Sequence, residues 1–334
     1  MKKYQIYGMG AALVDTEIQV KDDELDTMGV EKGLMTLVDA DRQQALLDQL
    51  EGHLVHAKMA SGGSACNSVV AASYFGGRCF FSCKVARDAH GDFYLNDIKQ
   101  AGVDSNFDLN DNRESGMTGK CLVLITPDAE RSMNTHLSIS ETLSSKELAP
   151  EALIDSEYLY LEGYLVTSPT GRAAAIEAHR IAKANGVKTA LSFSDPGMVE
   201  FFRDGIEEML DGGVDLVFCN EAEALGWAKS DNMDDAIEAL KAVAKQFVIT
   251  RGAEGAILFD GESLTEIDAH PVKAVDTNGA GDMFAGAFLY GICNELSFEV
   301  AGRLASRAAA EVVSSYGPRL APERHQQLLK DLLS

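Results

Sequence analysis

Apolar and polar residues follow a regular pattern in the second half of the chain. Short apolar runs predict strands, and each run precedes a segment with apolar positions at helical spacing. The predicted strands are Tyr158–Leu161, Lys188–Ser192, Leu216–Cys219 and Gln246–Thr250, and the predicted helices are Thr170–Asn185, Met198–Leu210, Glu221–Ala228 and Asp234–Ala244. Such alternation forms βαβ units, whose right-handed crossovers place helices on both faces of a mostly parallel sheet. We therefore expect an α/β fold, a three-layer α/β/α sandwich.

The first part of the chain contains more strands than this alternation requires. The predicted strands are Tyr4–Met9, Ala11–Val20, Gly33–Val38, Lys120–Thr126 and Arg131–Ile139. The predicted helices are Asp41–Leu50 and Cys66–Phe75. The surplus strands, drawn from about 11–38 and 116–140, predict a small β-sheet that acts as a lid. No Pro-, Ser- or Gly-rich linker divides the sequence, so we expect 1–334 to form one domain. A ligand is expected where the lid meets the carboxyl ends of the parallel strands.

The charge of the chain restricts its partners. With 29 basic and 52 acidic residues, the formal net charge is −23. This charge disfavours nucleic acid and anionic membranes as partners, so we expect a small-molecule substrate. Any phosphate must then be held locally by backbone amides and a metal ion. The pattern leaves a monomer and a homodimer both open.

The cysteines and the apolar runs point to an ordinary reduced protein. The six cysteines form no CxxC pair and no zinc spacing, and most of them lie in apolar segments. Reduced core thiols are the expected state of such residues. No uninterrupted apolar run reaches the ~18 residues of a membrane span, which favours a cytoplasmic location.

A glycine-rich turn gives the clearest indication of chemistry. Residues 276–282 read DTNGAGD, and the next ten, MFAGAFLYGI, predict a helix. Such a turn exposes backbone N–H groups at the positive end of the helix dipole, which makes a cradle for an anion. Asp282 lies in the first turn, where its carboxylate can take the proton of an alcohol that attacks phosphorus. The alternative is an ordinary helix start, which leaves the spacing of Asp276 and Asp282 around three small residues unexplained.

A second glycine pair precedes another predicted helix. Residues 61–67 read SGGSACN. Glycine lets a ligand approach the backbone closely, and Ser64 and Asn67 bring hydrogen-bonding groups to the first turn of the helix. The alternative is that Ser64 simply caps the helix and binds nothing.

Two further motifs are weaker by themselves. Asn220 and Glu223 follow a strand at the spacing of a capping box, so a metal role for them is secondary. Thr250, Gly252 and Gly255 follow the next strand in TRGAEG. The sequence has neither a GxxxxGK[ST] loop nor a GxGxxG loop after its first strand, which disfavours nucleotide binding by those two schemes.

The four motifs occur in an order that resembles the ribokinase-like (PfkB) family of carbohydrate and nucleoside kinases. The resemblance spans nearly the whole chain, and DTNGAGD is its most specific motif. It implies an ATP-dependent kinase that uses Mg²⁺ and, as in many members, K⁺ behind the anion hole. The residues that it assigns to the transfer step are Asp282 as the base, Gly279, Ala280 and Gly281 as the anion hole, and Arg131 as a lid arginine. Those that it assigns to ATP and ions are Asn220, Thr250, Gly252 and Gly255 for ATP, Glu223 for Mg²⁺ through water, and Asp276, with Asn278 and 315–317, for the monovalent cation.

Within the family, the opening segment is similar to that of adenosine kinases. Asp15 stands where an acidic residue holds the ribose hydroxyls, and Gly63, Ser64 and Asn67 match the ribose-binding segment. An amide can donate and accept, so we expect Asn67 to bridge the same diol. A flat base would contact apolar residues of the lid and the core; these are Leu13, Leu34, Cys121, Met133, Leu137, Tyr164 and Leu165.

Three functions are therefore open. The first is a nucleoside kinase that phosphorylates the primary hydroxyl of an adenosine-like substrate. The second is a sugar kinase for ribose, fructose or 2-keto-3-deoxygluconate, in which case the apolar residues only pack the lid against the core. The third is a catalytically silent relative that binds a ligand and regulates a partner. Asp282 with its intact glycine turn argues against the third, because a silent protein needs no base.

Overall fold

The computed structural model describes residues 2–53 and 59–333, which form two β-sheets and the helices that cover them. In chain order the strands are β1 (Tyr4–Met9), β2 (Leu13–Gln19), β3 (Met35–Leu37), β4 (Ala60–Gly62), β5 (Cys79–Ser82), β6 (Val103–Ser105), β7 (Gly119–Ile125), β8 (Arg131–His136), β9 (Ser156–Glu162), β10 (Lys188–Ser192), β11 (Val214–Asn220), β12 (Ala244–Thr250), β13 (Ala256–Phe259) and β14 (Leu264–Ile267).

The helices connect these strands and cover both sheets. In chain order they are α1 (Asp22–Met28), α2 (Ala40–Gln49), α3 (Ser64–Phe75), α4 (Ala89–Gln100), α5 (Asn106–Leu109), α6 (Pro150–Ile154), α7 (Pro169–Ala184), α8 (Pro196–Phe201), α9 (Arg203–Leu210), α10 (Glu221–Ala228), α11 (Met233–Lys241), α12 (Ala280–Cys293), α13 (Phe298–Val312) and α14 (Pro322–Leu333).

The large sheet contains nine strands in the order β14-β13-β12-β11-β10-β9-β1-β5-β6. Every neighbouring pair from β12 to β6 is parallel, and β13 and β14 add antiparallel strands at one edge. The strand order reverses between β1 and β9. A crevice at the carboxyl ends of the strands at such a reversal is where open α/β sheets bind ligands.

Both faces of the large sheet are buried, because side chains alternate along each strand. In β9, Tyr158 and Tyr160 pack in one core with residues of α3, α12 and α13. Leu159 and Leu161 pack in a second core with residues of α7 and α10. The predicted three-layer α/β/α sandwich is therefore confirmed.

The small sheet has five strands in the order β3-β8-β7-β2-β4. Its outer face packs Ile18, Leu122 and Leu124 against apolar residues of α1 and α2. Its inner face carries a separate apolar cluster that includes Leu13 and Val123. Helices α1 and α2 thus cover the outer face, and the inner face borders the space between the two sheets.

Three elements differ from their predicted form. The predicted helix Met198–Leu210 is two helices, because Phe202 leaves the helical conformation (φ −124°, ψ 21°) between α8 and α9. The predicted strand Arg131–Ile139 ends at His136, since Ser138 adopts a left-handed conformation with φ 50°. Strand β4 comes from outside the two predicted lid ranges, and its three residues are too few to form a recognisable alternation.

The cysteines and the longest apolar helices bear on two expectations from the sequence. All six cysteines are free, and five of them are buried. In the part of the chain that the structure describes, no helix is long and apolar enough to cross a bilayer.

Candidate active site

A cavity of about 750 Å³ lies between the inner face of the small sheet and the carboxyl ends of the parallel strands. This size suits a small organic ligand. Most of the residues assigned to the site from the sequence line it; they are Asp15, Gly63, Ser64, Asn67, Arg131, Asn220, Glu223, Thr250, Gly252, Gly255, Asn278, Gly279, Ala280, Gly281 and Asp282. Asp276 and 315–317, assigned to the monovalent cation, do not line it, and Asp276 is fully buried before the glycine-rich turn.

Asp282 is held by two side chains of α3. Ser64 Oγ donates to Asp282 Oδ1 at 2.7 Å, and Asn67 Nδ2 donates to Oδ2 at 3.0 Å. Gly63 is the N-cap of α3 with φ 95°, so the alternative in which Ser64 caps this helix is wrong. Burial raises the pKa of Asp282 above its ordinary value, whereas these two hydrogen bonds and the charges of Arg131 and Arg319 act in the opposite direction. The carboxylate is fixed in direction and free to accept a proton from the cavity.

The turn before Asp282 begins helix α12 and is open to the cavity. Gly279 is the N-cap with φ 75°, and a Cβ there would meet Pro318 at 2.6 Å, so glycine is required. A Cβ on Gly281 would meet nothing within 4 Å, which means that the backbone borders free space. The N–H groups of a first helical turn have no partner within the helix. They can therefore bind an anion next to Asp282, although Ala280 N would first give up its 3.3 Å bond to the carbonyl oxygen of Thr277.

Asp15 is a buried carboxylate that faces the cavity. It is 7% exposed, and its side chain accepts no hydrogen bond from the residues that the structure describes. Burial, and then the charge of Glu17, raise its pKa to about 8. A Cβ on Gly62 would meet Asp15 Oδ2 at 2.1 Å, so the carboxylate lies directly against the backbone of the glycine pair. Such a group can accept hydrogen bonds from the hydroxyls of a ligand.

Both polar ends of the Asn67 amide form hydrogen bonds within the protein. Its Oδ1 accepts from Arg319 Nε at 3.0 Å, and its Nδ2 donates to Asp282. One lone pair of the amide oxygen and one amide hydrogen therefore remain for a ligand. The expectation that Asn67 both donates to and accepts from a diol stays a prediction.

Three charged residues that belong to no motif also border the site. Glu162, at the end of β9, accepts from Ala11 N at 2.7 Å and Ala65 N at 2.8 Å, and burial raises its pKa to about 7. It thereby joins the loop after β1 to the start of α3. Arg319 and Glu17 are the other two. No periodicity in the sequence identifies them, because each acts through partners more than 90 positions away in the chain.

Asn220 and Glu223 form the reciprocal capping box expected from their spacing. Glu223 N donates to Asn220 Oδ1 at 2.8 Å, and Asn220 N donates to Glu223 Oε2 at 3.0 Å. Burial raises the pKa of Glu223 to about 8. Within the described ranges, no three His, Cys, Asp or Glu side chains are arranged to hold a metal ion. Glu223 can therefore contribute to a metal site only together with water and a ligand.

Arg131 begins β8 and points into a group of acidic side chains. Its Nε is buried and donates to no atom of the described residues. Burial raises the pKa of four surrounding carboxyls, and the charge of Arg131 partly opposes this rise; these are Asp195, Glu223, Asp276 and Asp282. A guanidinium group placed in this way is available to an anionic ligand.

The segment at the end of β12 borders the far side of the cavity. Thr250 Oγ1 donates to the carbonyl oxygen of Cys219 at 3.5 Å. Gly255 has φ 86°, and a Cβ there would meet Ile267 O at 1.9 Å. A Cβ on Gly252 would meet nothing within 4 Å, so this part of the backbone is open to a ligand.

Asp276 and Glu17 lie behind the glycine turn. The Asp276 oxygens accept from Asn278 N at 2.8 Å and from Gly317 N at 2.9 Å. Glu17 Oε1 accepts from Asn278 Nδ2 at 3.2 Å, and Glu17 Oε2 is buried without a partner among the described residues. Burial, and then the charge of Asp276, raise the pKa of Glu17 to about 7. Two buried carboxyls with an unpartnered oxygen fit a cation at this position.

Most of the apolar residues predicted to face a base do line the cavity. Leu13, Cys121, Met133, Leu137 and Tyr164 border it, and Met35, Leu37 and Val123 join them. Leu34 and Leu165 do not border it, and the side chain of Leu165 packs in the core beneath α7. The small sheet, which is the predicted lid, therefore presents a largely apolar surface opposite the polar residues of the large sheet.

A lid sheet over a parallel α/β sheet, with an acidic residue at a glycine-rich helix start between them, is the arrangement of a small-molecule kinase. The sequence model of the pfkB family carbohydrate kinases matches residues 33–324, and the chain belongs to this family. It is thus a phosphotransferase with an alcohol group as acceptor, in a family of ATP-dependent kinases.

Three known proteins are similar to this chain over almost its whole length. The structure of adenosine kinase from Sinorhizobium meliloti is 33% identical, with a TM-score of 0.91 over 98% of this chain and 99% of that one. A probable sugar kinase from Rhizobium etli is 30% identical, with a TM-score of 0.93 over 99% of both chains. Adenosine kinase from Saccharomyces cerevisiae is 28% identical over 92% of this chain and 95% of that protein.

Proposed function

We propose that this chain is an ATP-dependent nucleoside kinase that phosphorylates the 5′-hydroxyl of a purine ribonucleoside, adenosine first. The observation that carries the proposal is Asp15, a buried carboxylate with no hydrogen-bond partner among the described residues, which faces the cavity next to Gly62 and Gly63. A fixed carboxylate can accept hydrogen bonds from two neighbouring hydroxyls, which suits the cis-diol of a ribose. The glycine pair lets the ring lie against the backbone.

The inner wall of the lid supports a nucleoside over a bare sugar. Leu13, Met35, Cys121, Met133 and Leu137 give this side of the cavity an apolar surface. A bare sugar gains little from such a surface, whereas a flat base buries its faces against it. The similarity to the adenosine kinase of Sinorhizobium meliloti supports the same choice.

In the proposed transfer, Asp282 acts on the hydroxyl that points toward it. Its carboxylate takes the proton as the oxygen forms a bond to the γ-phosphorus of ATP, and the bond from that phosphorus to the β–γ bridging oxygen breaks to leave ADP. The N–H groups of Gly279, Ala280 and Gly281 stabilise the charge on the transferred group. Arg131 meets the phosphates from the lid, so we expect it to act more on kcat than on substrate affinity.

ATP would extend from the glycine turn toward the strand ends. Asn220, Thr250, Gly252 and Gly255 are proposed to line its site, and Mg²⁺ would be held mainly by phosphates and water, with Glu223 acting through water. The ion neutralises phosphate charge when it is bound. Because the transfer needs this Mg²⁺, activity is expected to be lost in excess EDTA.

Asp276, with Glu17 beside it, is proposed to hold a monovalent cation such as K⁺.

A sugar kinase is the second candidate. Two observations favour it: the likeness to the probable sugar kinase of Rhizobium etli, and the packing of Leu13, Cys121 and Val123 in a cluster of their own. If that cluster serves only to pack the lid, the acceptor is ribose, fructose or 2-keto-3-deoxygluconate. Membership of a kinase family favours both enzymatic hypotheses over the silent regulator.

A phosphorylation assay over adenosine, inosine, guanosine, ribose, fructose and 2-keto-3-deoxygluconate tests the proposal. We expect adenosine to give the highest kcat/KM. We also expect Asp15→Asn to lose adenosine turnover while ATP binding is kept, whereas Asp23→Asn, an exposed change on α1, leaves turnover intact. A free sugar with kcat/KM well above that of every nucleoside refutes the nucleoside assignment.

A further inference from the structure

Arg319 is a largely buried cation close to the proposed base, and no motif of the sequence contains it. It lies between α13 and α14, and its side chain is 12% exposed. We propose that Arg319 is a positioning residue: it fixes the amide of Asn67 in the orientation that donates to Asp282. The inference rests on the proposed role of Asp282 as the base.

The side chain of Arg319 is held on several sides. Its Nε donates to Asn67 Oδ1 at 3.0 Å, and its Nη1 donates to Asp97 Oδ2 and Ser61 Oγ, both at 3.1 Å. Its Nη2 donates to the carbonyl oxygen of Ser61 and approaches Cys66 Sγ at 3.4 Å. These contacts leave the guanidinium little freedom to turn.

The donors of Arg319 determine which way the Asn67 amide faces. A guanidinium group can only donate, so the atom of Asn67 that meets it must be the oxygen. The amide nitrogen then faces the other way, toward Asp282 Oδ2 at 3.0 Å. In the flipped orientation, an NH₂ group would face a guanidinium and an oxygen would face a carboxylate. Both contacts would be repulsive, so Arg319 selects the productive orientation.

Asp97 anchors the arginine from the opposite side. This carboxylate of α4 also accepts from Ser61 N at 3.1 Å and Ser61 Oγ at 2.5 Å. A continuous chain of hydrogen bonds thus leads from Asp97 through Arg319 and Asn67 to Asp282. It connects α4, the segment before α14, α3 and α12, and so couples the base to parts of the fold outside the catalytic turn.

Arg319 also alters the balance of charge around the base. The ionisable groups whose charges act on Asp282 or respond to it come from the lid, from β9 and the turn after it, and from the segment before α14; they are Asp15, Arg131, Tyr160, Glu162, Tyr164 and Arg319. The charge of Asp282 contributes to the raised pKa of Asp15 and of Glu162, and the charges of Arg131 and Arg319 favour the ionised carboxylate of Asp282. Removal of the arginine and misorientation of Asn67 both favour the protonated form, which cannot act as a base.

The first test is the pH dependence of kcat/KM for Arg319→Gln, measured with the best acceptor of the substrate panel. We expect the acidic limb to move to higher pH and kcat/KM at pH 7 to fall by about 10-fold or more, with recovery at alkaline pH. Arg319→Lys keeps the charge and loses the contact geometry, so we expect a rate loss with a smaller displacement of the limb. Arg307→Gln removes a partly buried arginine that pairs with Asp331 at 2.8 Å, and it should keep the wild-type profile.

A double-mutant cycle separates positioning from simple destabilisation. If Arg319 acts through Asn67, Arg319→Gln should add little to the loss already caused by Asn67→Ala. Multiplicative losses together with an unmoved acidic limb overturn the proposal. Should Arg319→Gln fail to fold, Arg319→Lys carries the test, and wild-type kcat/KM in that variant overturns it.

The outcome for the base itself is read from a different variant. Turnover of Asp282→Asn near the wild-type rate contradicts the proposed function. An inactive Asp282→Asn together with a wild-type profile in Arg319→Gln contradicts only the role of Arg319.

Discussion

At the scale of single residues, the proposed base is defined by its donors as much as by its own carboxyl group. Ser64 and Asn67 each donate to one oxygen of Asp282, and both come from a helix that begins more than 200 residues earlier in the chain. These bonds favour the ionised carboxylate, which burial alone would disfavour. The chemistry of the site is therefore shared between two helix starts.

Replacing Asp282 with Asn should leave the fold and ATP binding intact and lower kcat by at least ~10²-fold. An amide keeps the shape of the carboxyl group but cannot take a proton, and a positioned acid–base group contributes on this scale. Steady-state kinetics and equilibrium binding of ATP measure the two effects. A variant that turns over within a few-fold of wild type would falsify the assignment.

Asp15 should make nucleoside binding depend on pH. Its pKa in the free protein is about 8, so the carboxyl is largely protonated below that value. Ribose hydroxyls bind the ionised form better, so binding releases a proton and affinity rises with pH. We expect Kd for adenosine to fall by up to about 10-fold per pH unit between pH 6 and 8 and then to level off.

Calorimetry in buffers of different ionisation enthalpy measures the released proton directly. Asp15→Asn is the matched control, because it removes the titrating group at that position, and its Kd should vary less with pH. Wild-type binding without proton release would contradict the role of Asp15.

At the scale of elements, the first turn of α12 combines tight packing with open space. Gly279 is pressed against Pro318, whereas Gly281 borders the cavity. The two glycines therefore serve different purposes: the first permits the turn, and the second keeps the backbone accessible to a ligand.

Gly281→Ala should separate stability from activity. The added methyl group meets nothing in the protein, and alanine is favoured over glycine in helices, so the free energy of unfolding should stay or rise by up to about 1 kcal/mol. In the proposed mechanism the same methyl group lies where the transferred phosphate approaches, so kcat/KM should fall by about 10²-fold, the cost typical of a misplaced reactant.

Gly226→Ala provides the comparison. Gly226 is exposed within α10, and a Cβ there would lie 3.6 Å from Val199, an ordinary contact. The free energy of unfolding of Gly226→Ala should change in the same direction as that of Gly281→Ala, while its activity stays at the wild-type level. Unchanged kinetics in Gly281→Ala would show that the turn does not border the transferred group.

At the scale of the whole molecule, the site concentrates acidic groups inside a chain of net charge −23. Four buried carboxyls have pKa values raised to about 7 or 8, each mainly by burial; they are Asp15, Glu17, Glu162 and Glu223. The native protein therefore holds protons that the unfolded chain releases at lower pH. Because the native and unfolded states bind different numbers of protons, the free energy of unfolding of the ligand-free protein depends on pH.

The free energy of unfolding should fall as pH rises from about 5 to about 8. The native state binds more protons than the unfolded state over this window, so raising the pH favours unfolding by roughly 1.4 kcal/mol per carboxyl and pH unit where the difference is a full proton. Urea unfolding across the range measures the slope. Asp15→Asn should flatten it, and Asp23→Asn on the surface should leave it unchanged. A stability that rises over this window contradicts the shifted pKa values.

The architecture and the motif residues of the candidate site could be predicted from the amino-acid sequence. Periodic apolar runs predicted the alternating strands and helices after residue 150, because each such element buries one face or both in a regular way. The motifs were also readable, since glycine turns and helix starts are local features. Residues such as Gly279, Asp282 and Asn220 therefore lie at the turn or helix start predicted for them.

The hydrogen bonds that connect those residues could not be predicted in the same way, because they depend on the packing of distant segments. Glu162, Arg319 and Glu17 carry no local signal, and each acquires its role from partners brought close by the packing of distant segments. The orientation of the Asn67 amide is likewise set by Arg319, 252 positions away. Which apolar residues face the cavity was also decided by the tertiary structure, because Leu165 packs inward while Met35 turns to the cavity. Hydrogen bonding and burial depend on spatial neighbours, and the fold alone supplies these.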